Sequence, residues 1–235
     1  MYIPKHFLIT DQQEAVSFMQ RYSFATVVTV TNNIPSATHL PFVVTERDDK
    51  IILASHFAKA NPQSAEIVNG KPLVIFAEPH AYISPKHYEQ VNNVPTWNYI
   101  AIHAYGKASL IESPEEKIAL LEKTIQFYDA DYLKQWASLS QVYKLNMMKG
   151  IVGFEIVVDE LEAKKKLSQN KTEKERENII AELSNSPGSN EKEIAAYMAK
   201  QTFADKWQSL DHQLPNVTIS EDEIVKEVKA VRKHS

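Results

Sequence analysis

Apolar and polar positions alternate with a period of two through the first part of the chain, and that alternation predicts strands. The run Phe24–Thr31, FATVVTVT, is rich in β-branched residues and is followed by the turn pair Asn32 and Asn33. THLPFVVT then runs back to the acidic turn ERDDK, and residues 51–55, IILAS, follow it. This pattern reads as an antiparallel meander. PLVIFAEP, NYIAIHAYGKASLI and residues 150–158, GIVGFEIVV, supply three more strands. Six strands joined mostly by tight turns predict an antiparallel β-barrel with added helices, an α+β chain, rather than a βαβ sheet.

Helical periods interrupt the strands where capping residues permit. Asp11 and Glu14 resemble a capping box and predict a helix over residues 12–21. Asn61, Pro62 and the stop Asn69 and Gly70 bracket a short helix. Ser113, Pro114 and Glu116 open a longer one, and SQVYKLNMMK predicts another before the last strand. Past Val158 the pattern is helical: Thr172 and Glu175 form a second box, SPGSN is a linker, and EKEIAAYMAKQ is a short helix. Ser220 and Glu223 cap a final amphipathic helix whose stripe is Ile224, Val225, Val228 and Val231. A helix of that size has to dock on its own barrel or on a second subunit.

Composition narrows the class. Of 235 residues 43% are apolar and 24% charged, as in an ordinary folded domain. Cysteine is absent, which excludes disulfides, thiolate metal sites and a cysteine nucleophile and suits a reducing cytosol. No stretch approaches the roughly 18 apolar residues of a membrane helix, and the N-terminal MYIPKHFLITDQQ has no signal-type apolar core, so a cytoplasmic protein is expected. The net charge of −4 gives the molecule no overall attraction to nucleic acid. Its one basic concentration, residues 164–176 (KKKLSQNKTEKER), reads as a solvated face or as a local contact surface for DNA.

Candidate chemistry gathers in three segments. LASHFAKANPQ, residues 53–63, joins a strand end to a capped helix start and carries Ser55, His56, Lys59 and Asn61. Free helix N–H groups beside a lysine would cradle a phosphate; the alternative is that Ser55 and His56 are turn residues and Lys59 a surface lysine. In SATHLPF, Thr38 and His39 sit between apolar neighbours. AYISPKHY offers Tyr82, Ser84, His87 and Tyr88 on a loop, and VPTWNY sets Trp97 and Asn98 at a strand mouth, as a core plug or as the wall of a flat-ligand site. Histidines 39, 56, 80, 87 and 103 follow no metal-ligand spacing, so no metal site is expected. P-loop, GxGxxG and nucleophile-elbow motifs are absent from a chain with five glycines, and no catalytic constellation is singled out.

The segments MYIPKHF, HLPF, SHFAKANPQ, AYISPKHY, VPTWNY, MMKGIVGFEI and KKKLSQNK, in this order across residues 1–183, resemble the PaiB family of FMN-binding negative transcriptional regulators. The resemblance implies an FMN-binding split barrel, as in pyridoxamine-phosphate oxidase-like flavoproteins, normally a homodimer with FMN at the subunit interface. It divides the chain into a split-barrel domain over 1–160, a helical segment over 161–200 and an additional tail over 201–235. It also implies that Ser55, Lys59 and Asn61, with His56 beside them, hold the FMN phosphate and that Thr38 and His39 approach the phosphate or ribityl chain. Trp97 and Asn98 would border the isoalloxazine near Tyr82, and the 166–170 loop with Gln169 would reach the partner's flavin. One lysine stands where the related oxidases use several arginines.

Three functions follow. The chain is an FMN-binding regulator acting through DNA or a regulatory partner, a flavin- or haem-dependent oxidoreductase with His56, His87 or Tyr82 as proton donor, or a barrel that has lost its ligand and serves as an interaction module.

Overall fold

The computed structural model describes residues 1–211. The β-branched run forms β1 (Phe24–Thr31), and Asn32 and Asn33, at φ of 52° and 64°, turn it into β2 (Ile34–Pro41). Asn and Asp are among the few side chains that tolerate the left-handed region, and a pair of them suits a two-residue hairpin turn. Asp48 and Asp49 repeat the device between β3 (Val43–Arg47) and β4 (Lys50–Ala58). β5 (Leu73–Phe76), β6 (His80–Ile83), β7 (Thr96–Ile111) and β8 (Ile151–Lys166) complete one antiparallel sheet of eight strands.

The strand order is β2-β1-β5-β7-β8-β4-β3, with β6 added to β7. β2 and β3 therefore occupy opposite edges of the ladder, although a single residue, Phe42, separates them in the chain. A flat sheet cannot satisfy both facts. The sheet curls until its edges adjoin, giving a barrel left open along the β2–β3 seam, and the meander with one strand over THLPFVVT is corrected to two strands broken at Phe42. Phe42 is fully buried, with its ring 6.0 Å from Phe76 and 6.1 Å from Phe154, and its N–H donates to the Ser23 carbonyl at 2.8 Å. Pro35 and Pro41 stand near the two ends of the edge strand β2.

Among the described residues seven α-helices dress the barrel. α1 (Gln12–Arg21), capped by Asp11, buries Ala15, Val16, Phe18 and Met19. α2 (Gln63–Glu66) is one turn beneath β1 and β2. α3 (Pro114–Tyr128), α4 (Tyr132–Ser138) and α5 (Gln141–Met148) bridge β7 and β8. α3 lies over one end of the sheet, where a cavity of about 310 Å³ separates it from β3 and β4. α6 (Glu173–Ser184) starts at the Thr172–Glu175 capping box, and α7 (Ser189–Asp211) packs beside it. The divisions at 160 and 200 do not appear as breaks: β8 runs through the first and α7 through the second. The capped helix expected at Ser220 lies outside the described residues.

β7 and β8 pair over most of their length, with the register slipping between Tyr105 and Gly106. A bulge of this kind bends the strand pair and sharpens its twist. Gly106 allows the close approach: a Cβ there would sit 2.2 Å from the Val157 carbonyl oxygen. Gly106→Ala is therefore expected to lower stability by about 1–3 kcal/mol, the usual range for an overpacked site, read as a fall in the urea midpoint at unchanged m-value.

Candidate functional site

The 53–63 segment folds into the seam of the barrel. Ser55 on β4 is buried, and its hydroxyl donates to the Pro41 carbonyl at 2.7 Å, tying β4 to the edge of β2. Beside it Asn61 Nδ2 donates to Thr38 Oγ1 at 3.0 Å, and Thr38 Oγ1 donates to Gln63 Oε1 at 2.6 Å. Gln63 is the hub. Its Nε2 donates to the Val27 and Ser36 carbonyls, both at 3.1 Å, while its N–H reaches Asn61 Oδ1 at 3.0 Å. Every polar group of this cluster has a partner within the chain, as buried polar groups require.

This alters the phosphate cradle. α2 has four residues, its first turn is already capped by Asn61, and a single turn carries little macrodipole. Of Ser55, Lys59 and Asn61, Lys59 alone stays available: it is exposed, and its side chain has no hydrogen-bond or ion-pair partner among the described residues. His56 is half-buried on β4, opposite Gly153 of β8, and burial holds its imidazole below the ordinary pKa. It points to the face of the strand opposite Ser55.

A second group forms on the β6–β7 hairpin. Tyr82 pairs across the strands with Trp97, their rings 5.8 Å apart and T-shaped, and His80 lies 5.9 Å from the same indole. Both large rings are about half exposed, Tyr82 at 51% and Trp97 at 52%. Contiguous exposed apolar surface, rather than a single exposed ring, is what marks an interaction or ligand site, and here two rings adjoin. Asn98 points the other way. It is fully buried, accepts from Ser168 Oγ at 3.1 Å and donates to Met198 Sδ at 3.4 Å, so it anchors α7 rather than sharing a wall with Trp97. Gln169 folds onto its own loop, donating to the Lys165 carbonyl at 2.6 Å and accepting from the Leu167 N–H at 2.7 Å.

The basic run is not an open cationic surface. Residues 164–166 belong to β8, which ends eight residues beyond the end its pattern suggested. Lys164 is buried against the Tyr99 ring and donates to the Tyr2 carbonyl; Lys165 pairs with Glu14, and Lys166 donates to Thr96. Lys171 sits 3.7 Å from the centre of the Tyr88 ring, and Lys174 pairs with Glu89. No group of three or more potential metal ligands occurs among the described residues.

The candidates thus fall into separate places. Thr38, Ser55 and Asn61 share the seam, and sequence reasoning missed their hub, Gln63, although an amide two residues after Asn61 in Asn-Pro-Gln was the available signal. His39, Tyr82 and Trp97 lie on the outer face of the sheet, which strand alternation and register trace from Phe24, Val28 and Val30 through Ile75, His103 and Tyr99 to Trp97. Lys59 hydrogen-bonds Gly150 just before β8 begins, while Tyr99 pairs with Lys166 where β8 ends. The fifteen residue steps between amount to about 50 Å of strand contour.

A family model described as "Putative FMN-binding domain" matches residues 1–160. The chain is 44% identical over 206 residues to "Protease synthase and sporulation protein PAI 2" of Bacillus subtilis, covering 84% of this chain and 96% of that one. Among solved structures it resembles the flavocytochrome Anf3 of Azotobacter vinelandii at 12% identity and TM-score 0.56, covering 70% of this chain and 72% of that one. It also resembles an FAD and haem binding protein of Mycobacterium smegmatis at 15% identity and TM-score 0.51, covering 67% and 72%. These two likenesses establish the split-barrel fold.

The buried imidazole makes stability depend on pH. His56 takes up a proton less readily folded than unfolded, so its contribution is complete above about pH 6.5, the ordinary imidazole value, and is lost as pH falls through and below it. His56→Gln is expected to shrink the difference in urea midpoint between about pH 7.5 and about pH 5.5; His87 and His103, lowered by burial in the same way, leave a residual slope.

Proposed function

The chain belongs to the FMN-binding domain family, with the PaiB protein of Bacillus subtilis as its relative, and on that premise we propose that it is a cytoplasmic FMN-binding regulator of the PaiB kind, acting as a homodimer. The observation that carries this reading is the outer sheet face. It joins the half-exposed Trp97 and Tyr82 to an apolar strip in which Phe24 and Val30 are exposed and Val28, Leu73 and Ile75 half-buried. Alternate positions on a strand that faces water are normally polar. A second protomer laid on this strip would cover it and bring its own residues to the aromatic hairpin.

Two chains also resolve the separation along β8. Lys59, the available cation, and Trp97, the available ring, stand near opposite ends of that strand, so one small cofactor meets both only across a subunit boundary. Trp97 and Tyr82 suit the flat face of an isoalloxazine, and Lys59 suits a phosphate monoester. FMN, when bound, supplies the redox chemistry, and the protein need only hold and shield it. Regulation through direct DNA contact is disfavoured by the committed lysines of the 164–176 run, and a protein partner fits the net charge of −4 better.

Flavin absorbance bands are expected to appear on titrating purified protein with FMN. Lys59→Ala should weaken binding about tenfold or more, the usual worth of a hydrogen bond to a charged group. No binding at micromolar FMN, with a Soret band on adding haem, would transfer the aromatic face to haem instead. Val28→Asp, which alters the strip without touching the proposed ligands, is expected to give monomers in sedimentation velocity and to weaken FMN binding with them; a monomeric variant that kept full affinity would refute the two-chain site.

A further inference from the structure

α1 and α7 enclose a groove of about 900 Å³. Its floor is apolar, made by the buried Ile9, Phe18 and Ile100, with Ala196 and Ala204 on the α7 side. Its rim carries three cations, Arg21, Lys165 and Lys200, and three anions, Asp11, Glu14 and Glu193. A rim of zero net charge gives no preference to nucleic acid or to any partner of a single sign. It suits an amphipathic segment of mixed charge.

The chain itself carries one. Residues 221–233 hold four acidic and four basic side chains around the stripe Ile224, Val225, Val228 and Val231. We propose that the groove between α1 and α7 is the seat of the chain's own C-terminal segment, with that stripe laid across Ile9, Phe18 and Ile100. Geometry permits the return. α7 forms one wall and runs about 21 Å from Tyr197 to Asp211 at 1.5 Å per residue. The eight residues 212–219, including Pro215, span up to about 27 Å, which is enough to double back. A twelve-residue helix over 220–231 would be about 18 Å long, against about 15 Å for the ten residues of α1.

Seated there, the segment would clasp α7 to α1 and so hold Met198 against Asn98, the neighbour of Trp97. The strap would thus stiffen the strand that presents the aromatic face. This consequence rests on the proposed cofactor site, whereas the docking itself does not.

The absence of cysteine makes the test direct. Ser17 is exposed on α1 and lines the groove. The full-length chain carrying Ser17→Cys and Val228→Cys, treated with a short bismaleimide, is expected to cross-link within one chain. The pair Ser17→Cys with Ala230→Cys, on the far side of the same helical turn, should do so several-fold less. Equal yields for the two pairs, or none for either, would overturn the proposal, and so would a cross-link joining two chains, which would give the groove to a second copy. A second variant, Val225→Asp with Val228→Asp, is expected to raise hydrogen exchange several-fold in residues 12–21 and 193–204 while FMN affinity is measured separately. Unchanged exchange there would sink the docking whatever the flavin does.

Discussion

The architecture depends on one covalent constraint: β2 and β3 are successive strands at opposite edges of the same ladder, and one residue joins them. The sheet has no freedom to lie flat. Phe42, the joining residue, becomes the point around which the barrel core assembles, and the hydrogen bonds that cross the seam follow from its position. Ser55 reaches Pro41, Tyr128 Oη reaches the Phe42 carbonyl at 3.3 Å, and Asn61 reaches Thr38. Residues whose chemistry suggests ligand binding are drawn into this closure because an open seam exposes backbone groups that need partners.

The bulge beside Gly106 sets the second division. On one side of it the outer face of β7 and β8 lies toward α3, and Gly153 allows Leu120 to approach closely. On the other side Trp97 is half exposed on the outer face, while the inner face receives α7 through Met198 and Asn98. Exposure of Trp97 and burial of Asn98 are therefore one fact seen from two sides of a strand.

Local signals carried most of what the sequence disclosed. Asp11, Ser113 and Thr172 cap helices where their spacing predicts, because capping is decided within one turn. The break at Phe42 was hidden, since an apolar residue between two alternating runs looks like more strand. β6 was missed because Ser84 and Pro85 suggest a loop, although the four residues before them pair with β7. β8 was read eight residues short because its end is lysine, and the partners that make a lysine strand stable are far away in sequence: Tyr2, Glu14, Thr96 and Tyr99. The same distance conceals the site. Segment spacing and the family resemblance drew attention to Thr38, Lys59, Tyr82 and Trp97, but only the fold distinguishes groups that face outward from groups bound to the seam.

Pro35 and Pro41 on β2 have a bearing on how such a barrel lives in a crowded cell. β2 is an open edge, the kind of strand that recruits another chain into an endless ladder. With no N–H to offer at two of its eight positions, it is a poor template for that growth. Growth by edge pairing is thereby disfavoured. A single chain is guarded against polymerising with its neighbours through this edge.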